Sequence, residues 1–173
     1  MPKSKKPRHP HRTKVGTNFW NVRKENLDYI RSEFATLELK SMVNLEQGTC
    51  TDDDFYLFRD FINWGIVAAC TRPGYDNESV DAACEALRQA AEALSIVQVR
   101  GRKNFCHYVC TADELDKVRV AIEFVGDLMR ESMDKCPVRA AKEWEVMRKF
   151  SRDAALGRPV SVSVAALKNA VGH

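Results

Sequence analysis

The sequence predicts an all-α fold, a four- to five-helix bundle with a disordered basic N-terminal arm. Apolar residues recur at intervals of three and four, the period of one helix face. Residues that start or stop helices stand between these periodic stretches. The 173 residues, 45% of them apolar and 29% charged, have the size and composition of one globular domain. We expect the flexible arm over 1–17, the bundle domain over 18–157 and a C-terminal tail over 158–173.

The first two helices are predicted from their apolar residues and their ends. The first runs from about Val22 to Glu46, where a following Gly48 stops it. The second starts at Thr51, a good N-cap, with three aspartates at its positive end, and it stops before Pro73. Because apolar side chains surround nearly all of this second helix, we expect it at the centre of the bundle.

The third and fourth helices enclose an uncertain segment. The third begins near Asp76, and its apolar spacing is that of a bundle seam. From Ile96 to Cys110 the pattern is uncertain, since Gly101 interrupts it. Within it, Phe105, Tyr108 and Val109 fit either a short extended segment or a helical turn. Thr111 and Glu114 then form a capping box that predicts the start of the fourth helix.

Pro137 suits the first turn of a fifth helix, and Gly157 ends it. In the tail, the alternation of Val160, Val162 and Val164 predicts a short edge strand or the lead-in to a final helix around residues 165–171. Both alternatives stay open at this point.

The formal net charge of +3 combines two unlike parts. Residues 1–24 hold eight of the 27 Lys and Arg and no acid. The remaining 149 residues therefore carry 19 basic against 24 acidic side chains, a net of −5. Residues 1–17 have too few apolar side chains to offset the entropy of ordering, so we expect a flexible arm.

Composition also bounds the location of the protein. No apolar run approaches the roughly 20 residues of a membrane-spanning helix, and no apolar stretch of the kind that marks a secretory signal follows the basic N-terminus. The six cysteines are interpreted as reduced thiols. We expect a cytoplasmic protein with no membrane partner, located in the host cytoplasm if a phage encodes it.

Motifs for catalysis are missing from the sequence. It has no phosphate-binding glycine loop, no dinucleotide fingerprint, no His-Glu-x-x-His and no nucleophile elbow. Of four histidines, only His107 stands where a folded site is expected. We expect no enzyme, no catalytic residue and no cofactor.

One segment has the residue types of a zinc site, Cys106-His107-x-x-Cys110. Zinc needs four ligands, and the second pair with knuckle spacing is missing, so we predict buried thiols beside an exposed histidine and no metal. A small zinc-supported helical domain stays the third hypothesis. The three aspartates at 52–54 are interpreted as charges that stabilise a helix start, not as a magnesium site.

Two basic clusters are candidates for contact with nucleic acid. The first is the arm, a chain of cations that can follow phosphates without reading bases. The second lies in the uncertain segment beside Phe105 and Tyr108, where base stacking and phosphate pairing could coincide. The candidate residues are Lys3, Lys5, Lys6, Arg8, Arg12, Lys14, Arg100, Arg102 and Lys103.

Two aromatic features are candidates for protein contact. Phe19 and Trp20, directly after the arm, either anchor a partner or fasten the arm to the bundle. The helix from Phe55 to Trp64 is predicted as core, and the alternative is a face for a partner or for a second copy of the chain in a homodimer.

The run Lys5-Lys6-Pro7-Arg8, and the aromatic segment at Tyr108 that leads into Glu114-Leu115-Asp116, resemble short accessory proteins of proteobacterial phages and prophages. The resemblance covers the arm and roughly residues 105–150. It implies a small accessory protein of a mobile element and supplies no functional residues.

We therefore expect a non-enzymatic accessory or regulatory protein that binds a host protein or a nucleoprotein complex. The alternative is a non-specific nucleic-acid-binding protein that uses the basic arm.

Overall fold

The computed structural model describes the backbone of residues 15–105 and 107–156, together with Leu167, Asn169 and Val171. Side chains are described for these residues from Lys24 onward, apart from Ala154 and Ala155. This part of the chain contains helices and no strands, which confirms the all-α helical bundle. The elements are α1 (Val15–Thr36), a π-helical turn (Leu37–Ser41), α2 (Met42–Gln47), α3 (Asp52–Thr71), α4 (Asn77–Lys103), α5 (Ala112–Lys135) and α6 (Pro137–Ala155).

α1, the π-helical turn and α2 follow one another without a break and form the predicted first helix. It begins at Val15, not Val22, so the predicted start is wrong; the apolar period that marks a helix face becomes visible only further along the chain. Its end is confirmed at Gly48, which adopts a left-handed conformation with φ 71° and donates its N–H to the carbonyls of Asn44 and Leu45.

α3 lies at the centre of the bundle, as its apolar circumference predicts. Phe58, Phe61 and Trp64 are fully buried, and α3 packs against α4, α5, α6 and the π-helical turn. The ring of Phe61 contacts Phe34 of α1 and Trp144 of α6, with ring centroids 5.1 and 5.2 Å apart. One aromatic helix therefore organises the core.

The start of α3 is held by a buried carboxylate. Asp54 and Thr51 form a reciprocal capping box, and Asp54 also accepts hydrogen bonds from Ser41 Oγ at 2.5 Å and Asn44 Nδ2 at 3.2 Å. Burial raises the pKa of Asp54, but the hydrogen bonds from Ser41 and Thr51 outweigh it and the net pKa is lowered. Asp54 thus connects the π-helical turn and α2 to α3.

α4 extends through much of the segment whose structure was uncertain in the sequence. It begins at Asn77, near the predicted start, with Asp76 as its N-cap, and it ends at Lys103. Gly101 lies inside the last turn, because the ring of Tyr108 folds back onto it; a Cβ at position 101 would lie 2.2 Å from Tyr108 Cδ1. The Tyr108 ring also packs at a tilt against Phe55, with centroids 4.9 Å apart and an interplanar angle of 59°. The capping box of Thr111 and Glu114 then begins α5, as predicted.

α6 begins at Pro137, as predicted, and packs on α3 and α5. Leu167 and Val171 are helical and buried in the core cluster, and Lys142 Nζ donates to the Val171 carbonyl at 3.1 Å. These residues favour the helical alternative for the tail. Val160, Val162 and Val164 lie outside the described residues.

We predict that Gly101→Ala destabilises the protein by roughly 1 kcal/mol. The new methyl group would displace the Tyr108 ring, and overpacking of this kind costs about 1–3 kcal/mol, whereas the better helix propensity of alanine returns only about 1 kcal/mol. Urea unfolding measures the change. Gly126→Ala is the matched control, because its Cβ would lie 3.2 Å from Phe34 Cζ and needs only a small shift. Equal losses in the two variants would contradict the prediction.

Candidate functional site

The second predicted basic cluster lies on the last turn of α4 and not in a loop. Arg100 makes a two-pronged pair with Glu114, at 3.0 Å from Nη1 and 2.6 Å from Nη2, and its Nη2 also donates to the Val109 carbonyl at 2.5 Å. Arg102 Nη2 lies 2.9 Å from Asp52 Oδ1 at the start of α3. Two of the three cations proposed for phosphate contact therefore already face carboxylates.

These pairs have a visible electrostatic effect. The hydrogen bonds from Arg100, helped by those from Thr111, lower the pKa of Glu114 from 4.5 to about 2. The hydrogen bonds from Arg102 and Gln98 lower the pKa of Asp52. Because Glu114 also caps α5, the Arg100 pair fixes the end of α4 relative to the start of α5.

The two aromatic residues beside the cluster have opposite environments. Tyr108 is 3% exposed and packs in the core, so the expectation that it offers a face for base stacking is wrong. Phe105 is 96% exposed and is the non-glycine residue with a positive φ, 55°, in the described chain. The turn after α4 thus presents one aromatic side chain to solvent and buries the other.

Further exposed apolar residues lie on the last turns of α4, before the turn that holds Phe105. Ile96 and Val99 are each about half exposed, and they line an open groove of about 420 Å³ with Arg100 and Lys103. We call Ile96, Val99, Lys103 and Phe105 the α4-end surface. It combines three exposed apolar side chains with a cation.

Other predicted site residues are not tested. The arm cations Lys3, Lys5, Lys6, Arg8, Arg12 and Lys14 lie outside the described residues, as does Cys106. Phe19 and Trp20 lie within α1, but their side chains are outside the described part.

The described residues of the predicted metal segment differ in solvent exposure. His107 is exposed, whereas Cys110 is half-buried, and burial raises the pKa of its thiol to about 11. Among the described side chains, no group of three or more His, Cys, Asp or Glu is arranged to hold a metal ion. The aspartates at the start of α3 are also divided between roles, since Asp54 is a buried cap and Asp52 pairs with Arg102.

A buried polar cluster was missed in the sequence. Glu143 of α6 is 1% exposed, and its Oε1 accepts hydrogen bonds from Thr71 Oγ1 at 2.9 Å and Arg139 Nε at 2.8 Å. A cavity of about 190 Å³ adjoins these groups, and the ion pair of Arg72 with Glu131 lies at its wall. The sequence shows Arg139 and Glu143 only as an ordinary i,i+4 charge pair on α6; their burial comes from the packing of α3.

Comparison of the chain with protein-family models, with curated proteins and with solved structures gives no match. No helix of the described residues is both long enough and apolar enough to cross a bilayer.

We predict an acid-dependent effect of Glu114→Gln. Since folding lowers the pKa of Glu114 from 4.5 to about 2, its ionised form stabilises the fold above about pH 4.5, and this contribution is lost as the pH falls towards 2. The native protein should therefore exceed the variant in urea midpoint at pH 6, and the difference should shrink from pH 4.5 downward. Asp113→Asn is the matched control, because it removes an exposed carboxylate of the same turn that pairs with Lys117 and not with Arg100. If the difference in urea midpoint between the native protein and Glu114→Gln stayed constant from pH 6 to pH 2.5, the stabilising role of ionised Glu114 would be refuted.

We also predict that Glu143→Ala lowers the free energy of unfolding by roughly 3 kcal/mol, because it leaves the largely buried Arg139 guanidinium and the Thr71 hydroxyl without their carboxylate. Glu145→Ala, an exposed change on the same helix, should fall within about 0.5 kcal/mol of the native protein. Chemical denaturation of the two variants at neutral pH distinguishes these outcomes.

Proposed function

We propose that the protein acts by binding a macromolecular partner, a host protein or a nucleoprotein complex, through the α4-end surface. The main support for this proposal is Phe105, whose aromatic side chain is almost fully exposed and whose backbone has a left-handed conformation. The resemblance of the sequence to phage accessory proteins supports a regulatory role in the cytoplasm of a host. The proposal involves no catalytic step.

The backbone at Phe105 supports this assignment. A left-handed conformation costs a non-glycine residue roughly 1 kcal/mol, and such strain collects at functional positions. Here the turn is set by hydrogen bonds from the Asn104 N–H to Gly101 and from the His107 N–H to Asn104. The strain leaves Phe105 in solvent, where the protein itself gains nothing from its ring. Burial of a phenylalanine side chain in a partner returns about 1.5–3 kcal/mol.

The surroundings of Phe105 fit a protein interface. Such interfaces centre on a few aromatic or cationic anchors with apolar neighbours. Ile96 and Val99 supply exposed apolar side chains on the preceding turns of α4, and Lys103 lines the same groove with a cation. A polar segment that served only to end α4 would not need three exposed apolar side chains within ten residues of chain.

The second candidate function is non-specific nucleic-acid binding by the arm, and the charge division of the sequence supports it. Residues 1–24 carry eight cations and no acid. On the bundle, Arg100 and Arg102 pair with carboxylates, which weakens the second basic cluster as a phosphate site. The arm would therefore supply most of the phosphate contacts.

We predict that position 105 crosslinks to the bound partner. Replacement of Phe105 by the photoreactive benzoylphenylalanine should give a discrete adduct on illumination in host lysate, and the same replacement of Leu39 should not. Leu39, 78% exposed on the π-helical turn, is the matched control. An adduct that persists after nuclease treatment and is competed by unlabelled native chain, but not by the Phe105→Ser chain, supports the proposal. Equal crosslinking at positions 105 and 39 would contradict the proposed binding surface.

Deletion of residues 1–14 tests the arm and leaves α1 intact, because α1 begins at Val15. If the six arm cations contact phosphates, the logarithm of affinity for a random-sequence duplex should fall by about five per decade of salt, and the deletion should abolish most of this slope. Titrations between 50 and 200 mM salt measure it. An unchanged slope in the deleted chain would exclude the arm as the nucleic-acid site.

A further inference from the structure

Two cysteine thiols meet where α3 and α4 pack together. Cys70 lies in the last turn of α3 and is 4% exposed, whereas Cys84 lies on α4 and is partly exposed. Their sulfur atoms are 3.6 Å apart. The pair is local in sequence, because the short turn after Arg72 connects the two helices.

The geometry is close to that of a disulfide. A disulfide bond is about 2.05 Å long and joins Cβ atoms roughly 3.8 Å apart. The two sulfurs therefore need to approach by about 1.5 Å. Rotation about the Cα–Cβ bonds moves the sulfur atoms relative to each other, and it is the smallest change that can bring them together.

The Cys84 thiol also differs in acidity from the thiols of Cys50 and Cys110. The hydrogen bond with Cys70 lowers the pKa of the Cys84 thiol to about 7, although burial and Asp81 oppose this shift. Burial raises the pKa of Cys50 to about 12 and that of Cys110 to about 11. Because the thiolate is the nucleophile, Cys84 reacts near neutral pH, where Cys50 and Cys110 remain protonated.

We propose that Cys70 and Cys84 form a reversible redox modification site, in which a low-molecular-weight disulfide such as oxidised glutathione converts the two thiols into an intramolecular disulfide. The Cys84 thiolate attacks one sulfur of oxidised glutathione, which breaks its S–S bond, forms a Cys84–glutathione mixed disulfide and releases one glutathione thiolate. The Cys70 thiol then loses its proton to solvent and attacks the Cys84 sulfur, which releases the second glutathione thiolate. The protein dithiol is oxidised by two electrons, and glutathione disulfide is reduced to two thiols.

The structure assigns separate roles to the two residues. Cys84 is the attacking thiol, since it is the more exposed of the pair. Cys70 is the resolving thiol, since it is buried against Cys84 and cannot be reached by glutathione itself. The bond would close a loop across the α3–α4 turn. The bond would also restrain Cys70, whose neighbour Thr71 donates a hydrogen bond to Glu143 of α6.

The test is incubation of the folded full-length chain with oxidised glutathione, followed by alkylation and mass analysis of tryptic peptides. Peptide 60–88 contains both cysteines, because the Arg72–Pro73 bond resists trypsin. We expect this peptide to lose the mass of two hydrogen atoms, and a reducing agent should restore it. The initial rate should rise about tenfold between pH 6 and pH 8, as the thiolate fraction of Cys84 increases. The proposal would be overturned if the rate of disulfide formation did not depend on pH. It would also be overturned if peptide 60–88 still carried two alkylated thiols after prolonged incubation with oxidised glutathione.

Single variants separate the two roles. Cys70→Ser should accumulate a stable glutathione adduct on position 84, and Cys84→Ser should leave Cys70 unmodified. Cys136→Ser, which removes an exposed thiol elsewhere, should oxidise in peptide 60–88 as the native chain does. Rapid resolution of the adduct in Cys70→Ser would refute the pairing.

The native chain supplies a measurement that needs no variant to fold. The disulfide constrains the unfolded chain, so the oxidised protein should melt on the order of 5 °C above the reduced protein, and reduction should reverse the shift. An oxidised protein that melts at or below the reduced temperature would show that the bond does not fit the native α3–α4 packing.

Discussion

The structure depends on the burial of α3. This helix presents aromatic and aliphatic side chains around almost its whole circumference, so it can be stable only if other helices cover it on several sides. α4, α5 and α6 pack against it, and Phe34 of α1 reaches Phe61. The amphipathic faces of the surrounding helices bury their apolar stripes in return. The bundle is the arrangement that satisfies α3 and its neighbours together.

Polar groups fix the ends of this central helix. At its start, Asp54 collects the hydrogen bonds of Ser41, Asn44 and Thr51, so the π-helical turn and α2 have a defined position over α3. At its end, Thr71 donates to the buried Glu143 of α6. Apolar packing alone is tolerant of small shifts, whereas buried carboxylates must find their donors. These two contacts therefore define the register in which the π-helical turn, α2 and α6 pack on the core.

Contacts at the end of α4 also explain why Phe105 is exposed. Tyr108 is drawn into the core over Gly101, and Arg100 is fixed by Glu114, so the chain must turn sharply between Lys103 and Tyr108. Phe105 lies in that turn and points into solvent. The exposed apolar groups that support the proposed binding function thus follow from how the end of α4 is anchored. The Cys70–Cys84 pair is independent of this surface, since it lies at the far end of α4, where α3 packs on it.

The sequence by itself determined the helical class, the central position of α3, the caps at Thr51 and Thr111, the start of α4 near Asp76, and the stop at Gly48. These features are encoded locally, by apolar period and by side chains that reach backbone groups within three residues. Only the tertiary structure decided which of Phe105 and Tyr108 is buried, that Gly101 lies inside a helix, that Arg100 and Arg102 have acidic partners, and that Glu143 is in the core. Each of these depends on contacts between residues distant along the chain or on different helices. The physical reason is that a side chain's exposure and charge environment are set by what packs against it, and local sequence does not contain that neighbour.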